Sequence, residues 1–375
     1  MSYIDADGHV EESPATFSDQ YLDPAFRSQR PRVVGENGMA YWVIDEQLFP
    51  RRVGRGCHNL GTPTSYGGQP AFHSKGKPES LGCMELTDLK ARLAIMDEEE
   101  ISIQVLYTTL FLAYPLSSNP ALLTALYSSY NRWLGDRLSG HDRLKWAAIV
   151  NLGQVESAVR EVREVKKLGA AAVMVLGTAG ESQLDDPRLF PFYEALCDQG
   201  LPLAVHVGWG CPSLNNLYDH IYPSGVVAFH FPVLMAFVAL MSGGILDRFP
   251  SLRVVFLEAG SMWVPYMIDR MNHRFQNQGK YLAEFLPQTK PKQELPVMEY
   301  LKRGNLYFST ELEDHLLPQV LDLVGENQVV MGTDMPHGDR ERFAARSLRG
   351  RSDLRDAVKS NILEHNPARL YGLKS

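Results

Sequence analysis

The sequence contains few cysteines, and they are scattered. Four cysteines occur in 375 residues, with no close Cys-x-x-Cys pair among Cys57, Cys83, Cys197 and Cys211. Four are too few for a disulfide-stabilised scaffold, so we expect free thiols, which are typical of a reducing compartment. This pattern predicts a cytoplasmic protein.

Basic clusters and long apolar runs are also missing. The net charge is −7, from 37 basic and 44 acidic residues, and no basic block occurs. A role in binding nucleic acid or an anionic membrane surface therefore has no electrostatic support. The first twelve residues, MSYIDADGHVEE, resemble no secretory signal. We find no run of about 20 uncharged apolar residues and expect no membrane-spanning segment.

Short β-rich runs alternate with helical patterns from Glu85 onward. This alternation is typical of a parallel sheet with crossover helices. Eight strands favour a closed (β/α)8 TIM barrel over an open doubly wound sheet, and no Gly-x-Gly-x-x-Gly follows the first strand. We predict one domain over 1–375. The candidate strands are Tyr3–Asp7, Ser102–Tyr107, Leu144–Val150, Ala171–Leu176, Pro202–Val207, Leu252–Leu257, Leu306–Ser309 and Val329–Gly332.

Residues 13–82 interrupt this rhythm directly after the first strand. The segment is rich in Gly, Pro and Arg and has little periodicity, apart from a possible hairpin around Met39–Phe49. Long irregular segments in compact domains often serve as lids or binding loops. We therefore predict an elaborated insertion or lid. His58 and His73 are its candidate pocket residues, with an exposed histidine as the alternative in each case.

Metal-ligand residue types follow several of the predicted strands. Asp7 and His9 are two residues apart, so in an extended chain their side chains point the same way. His206 ends the fifth strand and Asp334 follows the eighth. In a barrel these four side chains would converge on one axial point, where mixed nitrogen and oxygen ligands suit Zn²⁺, or Mn²⁺ if oxygen predominates. Taken singly, His206 fits a hydrogen-bonded structural role equally well, and Asp334 a turn or helix cap.

Four segments resemble the second amidohydrolase group, which includes aminocarboxymuconate-semialdehyde decarboxylase and the resorcylate-type decarboxylases. The segments are IDADGHVEE, LPLAVHVGWG, GGILDRFPSLRVVFLEAGSMWVPYMIDRMN and VVMGTDMPHGD. The resemblance implies a barrel with a single divalent metal, held by Asp7, His9, His206 and Asp334. No lysine occurs between Ala171 and Thr178, where two-metal amidohydrolases carry a bridging carboxylated lysine. One metal is therefore expected, Zn²⁺ before Mn²⁺.

The sequence departs from this resemblance at Glu258. The decarboxylases carry a histidine at the end of the sixth strand, where it helps to activate water or the substrate. A carboxylate can act as a base or approach the metal, but it cannot be a cationic hydrogen-bond donor near neutral pH. We predict Glu258 to be catalytic.

Four further residues are weaker candidates for the site. His230 and His337 are candidate catalytic residues, His230 with simple packing as its alternative and His337 as a hydrogen-bond donor beside Asp334. Trp209 and Glu12 are candidate substrate-binding residues, and a solvated position in the first loop is the alternative for Glu12.

The leading functional hypothesis is a metal-dependent lyase that decarboxylates a small aromatic or unsaturated carboxylic acid. The alternative is a hydrolase of an ester, amide, lactone or C–C bond that uses metal-activated water. Both use the same residues, and Glu258 favours hydrolysis while the resemblance favours decarboxylation. A non-catalytic, ligand-binding barrel is a third reading. The resemblance also implies a homodimer.

Overall fold

Eight parallel strands form the centre of the molecule. A computed structural model describes residues 2–36, 39–51, 53–58, 79–277, 284–286, 292–338 and 340–373. The parallel sheet follows the chain order β1-β5-β6-β7-β8-β9-β10-β11, and a separate antiparallel sheet contains β2, β3 and β4. The strands are β1 Ile4–Val10, β2 Arg32–Glu36, β3 Met39–Ile44, β4 Gln47–Phe49, β5 Ile103–Thr108, β6 Leu144–Ile149, β7 Ala172–Leu176, β8 Leu203–His206, β9 Val254–Leu257, β10 Leu306–Thr310 and β11 Val329–Met331.

Backbone hydrogen bonds join the first strand to the segment after the last. The Asp334 amide donates to the Asp7 carbonyl over 2.8 Å, and the His9 amide donates to the Met335 carbonyl over 2.6 Å. These bonds close the sheet into a barrel, and all eight predicted strands belong to it. The (β/α)8 fold expected from the sequence is confirmed.

Helices surround the barrel, and the longer ones bury their apolar faces against it. Helix α3, for example, begins after Asn119, whose side chain accepts hydrogen bonds from the amides of Ala121 and Leu122, and it buries Leu122, Leu126 and Leu134. The helices are α1 Leu81–Met84, α2 Leu89–Glu98, α3 Pro120–Arg137, α4 Val155–Lys167, α5 Phe190–Gln199, α6 Pro212–Asn215, α7 Ile221–Pro223, α8 Phe231–Ser242, α9 Ile245–Arg248, α10 Trp263–Asn277, α11 Val297–Lys302, α12 Leu317–Val324, α13 Ala344–Gly350, α14 Asp356–Ser360 and α15 Asn366–Tyr371.

One apolar helical segment contradicts the sequence expectation. Among the described residues, Ile221–Ser242 forms a 22-residue helical stretch that is long and apolar enough to cross a membrane. It joins α7, a π-helical turn and α8, and it contains no Asp, Glu, Lys or Arg. Our expectation that the chain has no such run was therefore wrong. Half of the most apolar window is buried inside the protein.

The insertion contains more structure than expected. The predicted hairpin is present as β3 and β4, and β2 adds a third antiparallel strand. His58 is buried rather than exposed, because its ring packs beside the rings of Phe49 and Trp209 at centroid distances of 5.6 and 5.8 Å. His73 lies outside the described residues. The single-domain assignment over 1–375 stays a prediction.

Candidate metal centre

The end of β1 supplies two buried side chains to the mouth of the barrel. Asp7 and His9 are both buried, and Asp7 Oδ1 lies 3.4 Å from His9 Nε2. The pairing of β1 with β5 shifts register between Asp5 and Gly8, yet Asp7 and His9 still point to the same place. The convergence expected from strand alternation is present.

His206, the last residue of β8, meets this pair from the other side of the barrel. Its Nε2 lies 3.2 Å from Asp7 Oδ1, and the ring is fully buried. Its Nδ1 donates to the Val207 carbonyl over 3.0 Å. Burial lowers the pKa of His206, but the carboxylates of Asp7 and Glu258 outweigh burial and raise it. Burial alone would raise the pKa of Asp7, but the neighbouring imidazoles of His206 and His9 hold it well below its usual range.

Both imidazoles are oriented by backbone carbonyls. His9 Nδ1 donates to the Thr108 carbonyl over 2.9 Å, as His206 Nδ1 does to Val207. A carbonyl only accepts, so the proton of each neutral ring sits on Nδ1 and the lone pair on Nε2. Burial and the nearby His337 lower the pKa of His9 to about 3, which keeps this ring neutral. Two nitrogen lone pairs therefore face Asp7.

Two further carboxylates complete the cluster. Asp334 Oδ1 lies 3.4 Å from His9 Nε2, and Glu258 Oε2 lies 3.4 Å from His206 Nε2 and 3.8 Å from His9 Nε2. The side chains of Asp334 and Glu258 are 18% and 19% exposed, whereas Asp7 and the two histidines are almost completely buried. The cluster has a closed floor and an open side lined by Asp334 and Glu258.

Both partly exposed carboxylates stand on left-handed backbone. The φ angles of Glu258 and Asp334 are +58° and +55°. Residues with a Cβ pay roughly 1–2 kcal/mol for this conformation, which persists where neighbouring bonds hold it. The Glu258 amide donates to Ser309 Oγ over 2.8 Å, and the Asp334 amide is bound to Asp7. The chain turns inward at both positions.

The cluster has the chemistry of a divalent metal site. Within the described part of the chain, buried His9 Nε2 has no hydrogen-bond partner. An orphaned, buried nitrogen lone pair beside carboxylates is costly unless a cation accepts it. Asp7, His9, His206 and Glu258 each offer a donor atom within 4.8 Å of the others, and His9, Asp334 and His337 do the same. Three of the four predicted ligands, Asp7, His9 and His206, thus fit one ion together with Glu258, whereas Asp334 shares a donor group with His9 and His337.

His337 lies beside the cluster rather than on its floor. Its Nδ1 is 2.7 Å from Asp334 Oδ1, and its Nε2 is 2.9 Å from the hydroxyl of Thr109. When His337 Nδ1 donates to the carboxylate, Nε2 accepts from Thr109. Sequence reasoning missed Thr109, which follows the last residue of β5 and is therefore at a strand end like the metal-ligand types.

The other candidates have different surroundings. His230 joins neither donor group, and its Nδ1 donates to the Gly225 carbonyl over 2.7 Å. Trp209 is buried three residues after β8, with its ring 4.4 Å from that of Phe229. Both carboxylate oxygens of Glu12 accept hydrogen bonds from the β5 end, one from the Thr108 hydroxyl and one from the Leu110 amide over 2.8 Å. Glu12 is therefore a buried anchor of this loop, not a solvated residue.

A polar network beneath the site was not expected from the sequence. Arg92 on α2 is fully buried, and its guanidinium donates to the carbonyls of His9 and Met335 over 3.0 and 3.2 Å. It also donates to Gln104, which in turn donates to Asp5 over 2.6 Å. The polar residue Asp5 within an otherwise apolar strand start was the one available signal.

Comparisons with known proteins show the family of this chain. A model of the amidohydrolase family matches residues 118–373. The chain belongs to the amidohydrolase family. The resemblance noted in the sequence is therefore confirmed, and with it the expectation of an enzyme.

Three relatives extend this result. A 2-amino-3-carboxymuconate-6-semialdehyde decarboxylase of Dictyostelium discoideum is 24% identical over 294 residues, which cover 76% of this chain and 77% of the relative. An amidohydrolase structure from Mycobacterium avium subsp. paratuberculosis has a TM-score of 0.77 at 23% identity and covers 99% of both chains. A 5-carboxyvanillate decarboxylase structure from Novosphingobium aromaticivorans, with manganese and 4-hydroxy-3-methoxy-5-nitrobenzoic acid, has a TM-score of 0.69 at 18% identity and covers 99% of this chain and 96% of that one. Both structural likenesses support the barrel fold.

Proposed function

We propose that this amidohydrolase is a metal-dependent lyase that removes CO₂ from a small aromatic or unsaturated carboxylic acid. The proposal rests mainly on one observation. The buried donor atoms of Asp7, His9 and His206 lie beside a partly exposed acid, Asp334, whose carboxylate contacts His337. The similarity to a carboxymuconate-semialdehyde decarboxylase and to a carboxyvanillate decarboxylase fold supports the choice of substrate class.

Asp7, His9, His206 and Asp334 would hold one divalent metal. When bound, the ion would supply positive charge that orients a substrate carboxylate and a neighbouring hydroxyl or carbonyl oxygen and stabilises negative charge on that oxygen. The hydrogen bonds from His9 Nδ1 and His206 Nδ1 to backbone carbonyls hold both Nε2 atoms toward that position.

Asp334 would move the proton. Its protonated carboxyl gives the proton to the substrate carbon, the bond to the carboxylate carbon breaks, and its electron pair forms the new C–H bond as CO₂ leaves. His337 Nδ1 donates to Asp334 Oδ1 over 2.7 Å, so a His337 ring that has taken up a proton from solvent can pass one to Asp334 after each turnover. Glu258, His230, Trp209 and Glu12 stay predicted site residues.

Hydrolysis of an ester, amide, lactone or C–C bond is the second candidate, and Glu258 is the observation in its favour. A carboxylate on the open side of the site can take a proton from water as that water attacks a carbonyl carbon. Hydrolysis of an ester, amide or lactone would not need an acid that protonates a carbon.

One experiment separates the two candidates. The purified protein, loaded separately with Mn²⁺ and Zn²⁺, is incubated with hydroxybenzoates, carboxyvanillate-type acids and unsaturated dicarboxylic acids, and CO₂ release is measured. We expect CO₂ from at least one acid and a loss of 10³-fold or more in Asp334→Asn. Turnover of esters or lactones with no CO₂ from any acid would contradict the proposal.

The cytoplasmic location and the homodimer also belong to the proposal. Mass measurement in solution by light scattering tests the dimer, and a mass of one chain would contradict it.

A further inference from the structure

The position of Glu258 deepens the proposed metal site. The resemblance implies a histidine there that acts on water or the substrate. In this chain Glu258 Oε2 is buried and belongs to the same donor group as Asp7, His9 and His206. Its neighbours in space are thus three of the predicted metal ligands.

The spacing of the donor atoms fits one shared ion. Atoms bound to a metal at about 2.0–2.2 Å lie about 2.8–3.8 Å apart when the angles between the bonds are 90–120°. The distances from Asp7 Oδ1 to His206 Nε2 and to His9 Nε2 are 3.2 and 3.4 Å. Those from Glu258 Oε2 are 3.4 Å to His206 Nε2 and 3.8 Å to His9 Nε2. Glu258 is as well placed as Asp334, whose Oδ1 is 3.4 Å from His9 Nε2.

The backbone presents Glu258 and Asp334 in the same way. Each follows a barrel strand, each has a left-handed φ, and each has its amide fixed by a hydrogen bond to a neighbouring strand end. These contacts hold both carboxylates on the open side of the same cluster, where Asp334 has a ligand position in the resemblance.

Charge leads to the same conclusion. Asp7, Glu258 and Asp334 place three carboxylates around two imidazoles that are neutral when they act as ligands. Like charges this close, mostly shielded from water, are strongly unfavourable unless a cation offsets them. A divalent ion in contact with all three offsets them best.

We infer that Glu258 is a fifth protein ligand of the metal beside Asp7, His9, His206 and Asp334, and that its carboxylate raises the affinity of the site for Mn²⁺ relative to Zn²⁺. Structural Zn²⁺ is almost always four-coordinate, whereas oxygen-rich sites with more ligands suit Mn²⁺. The inference rests on the proposed metal site.

The test measures metal binding rather than turnover. Protein stripped with a chelator is titrated with Mn²⁺ and with Zn²⁺ against a competing indicator, for wild type, Glu258→Gln and Glu258→His. Glu313→Gln is the matched control, because Glu313 is exposed on the loop after the neighbouring strand β10 and its loss removes the same charge. We expect Glu258→Gln to weaken Mn²⁺ binding by about 10–100-fold, Glu258→His to shift the preference toward Zn²⁺, and Glu313→Gln to bind within about twofold of wild type.

Folded Glu258→Gln that binds Mn²⁺ as tightly as wild type would overturn the inference. A second measurement needs no variant. Wild-type protein loaded with Co²⁺ should show the weak visible absorption of a five- or six-coordinate ion, and the intense absorption of a four-coordinate ion would contradict a fifth ligand.

These outcomes are separable from those of the proposed function. Loss of Mn²⁺ affinity in Glu258→Gln, combined with no CO₂ from any acid, would leave the ligand assignment standing and remove the decarboxylase. Release of CO₂ together with unchanged Mn²⁺ affinity would do the reverse.

Discussion

The backbone amide of Asp334 donates a hydrogen bond to the carbonyl of Asp7 over 2.8 Å. The two residues whose carboxylates face the metal centre thus also join the first strand of the barrel to the last. The same hydrogen bond therefore closes the sheet and fixes the spacing of two proposed ligands. A change that opens this seam should therefore affect stability and metal content together.

Gly332→Ala tests this coupling. A Cβ at Gly332 would lie 2.3 Å from Asp7 Cβ, because β1 and the end of β11 approach closely there. We expect a loss of about 1–3 kcal/mol in the free energy of unfolding, together with a lower metal content per chain. Urea unfolding and elemental analysis measure the two effects.

The matched control for this change is Gly350→Ala. A Cβ at Gly350 meets no atom within 4 Å, and the residue ends helix α13, so alanine should be neutral or slightly stabilising. A Gly332→Ala protein with wild-type stability and metal content would show that the seam tolerates movement.

Arg92→Met tests the buried network under the site. Removing the guanidinium leaves the carbonyls of His9 and Met335 without this donor and leaves Asp5 without a nearby cation. Breaking such a network by removing one partner typically costs about 3–5 kcal/mol. We expect a large drop in thermal stability and a metal affinity about tenfold weaker.

The same substitution at exposed Arg160 on α4 controls for the loss of one positive charge. Equal effects of Arg92→Met and Arg160→Met on metal affinity would mean that Arg92 has no part in holding the strand ends.

Thr109→Val tests the role of the Thr109 hydroxyl. Without that hydroxyl, His337 Nε2 loses its hydrogen-bond partner, and the ring is free to turn away from Asp334. We expect kcat to fall about tenfold with little change in KM, and Thr109→Ser to restore most of it. A serine variant as impaired as the valine variant would indicate a packing role for Thr109 instead.

Glu12→Gln tests a pH effect on stability. Burial raises the pKa of Glu12 to about 7 in the folded protein, against 4.5 as its ordinary value. The folded state then holds this proton more tightly than the unfolded state. The contribution of Glu12 to stability is therefore lost as pH rises from about 4.5 to about 7, by roughly 3 kcal/mol.

Urea unfolding at pH 5 and pH 8 should show a smaller change for Glu12→Gln than for wild type. Exposed Glu194→Gln on α5 should behave as wild type. Burial also raises the pKa of neighbouring Glu11 to about 7, so part of the pH dependence should persist in Glu12→Gln. An identical pH dependence in wild type and Glu12→Gln would contradict the assignment.

The sequence predicted the barrel because strand and helix periods alternate clearly, and because ligand-type residues fall at the strand ends. Asp7, His9 and His206 could be grouped for that reason, and the structure places them in one donor group, with Asp334 beside His9. Glu258 could be placed at the end of its strand, but its distance to His206 depends on strand tilt and on a left-handed turn that no residue pattern announces.

Other structural features could not be predicted from the sequence. Arg92 occurs in a helix rich in charged residues, where an exposed position is the ordinary expectation, and its burial depends on carbonyls far away in the chain. Tyr371, near the end of the chain, donates to the Ala6 carbonyl and accepts from Tyr107, a contact that only the closed barrel creates. The apolar stretch Ile221–Ser242 is hard to recognise in the sequence, because Pro, Gly and His residues interrupt its run of apolar side chains.

The seam between the first and last strands also sets the order of events during synthesis. Asp5 bonds to Thr333, a residue 328 positions later. At about 5–20 residues per second, a ribosome needs roughly 15–60 s to reach that partner after making Asp5. The nascent first strand can pair with β5 early, but its other edge has no partner until the residues after β11 have been synthesised. All donors meet only when translation is nearly over, so a prematurely terminated chain should emerge without a site able to retain its ion.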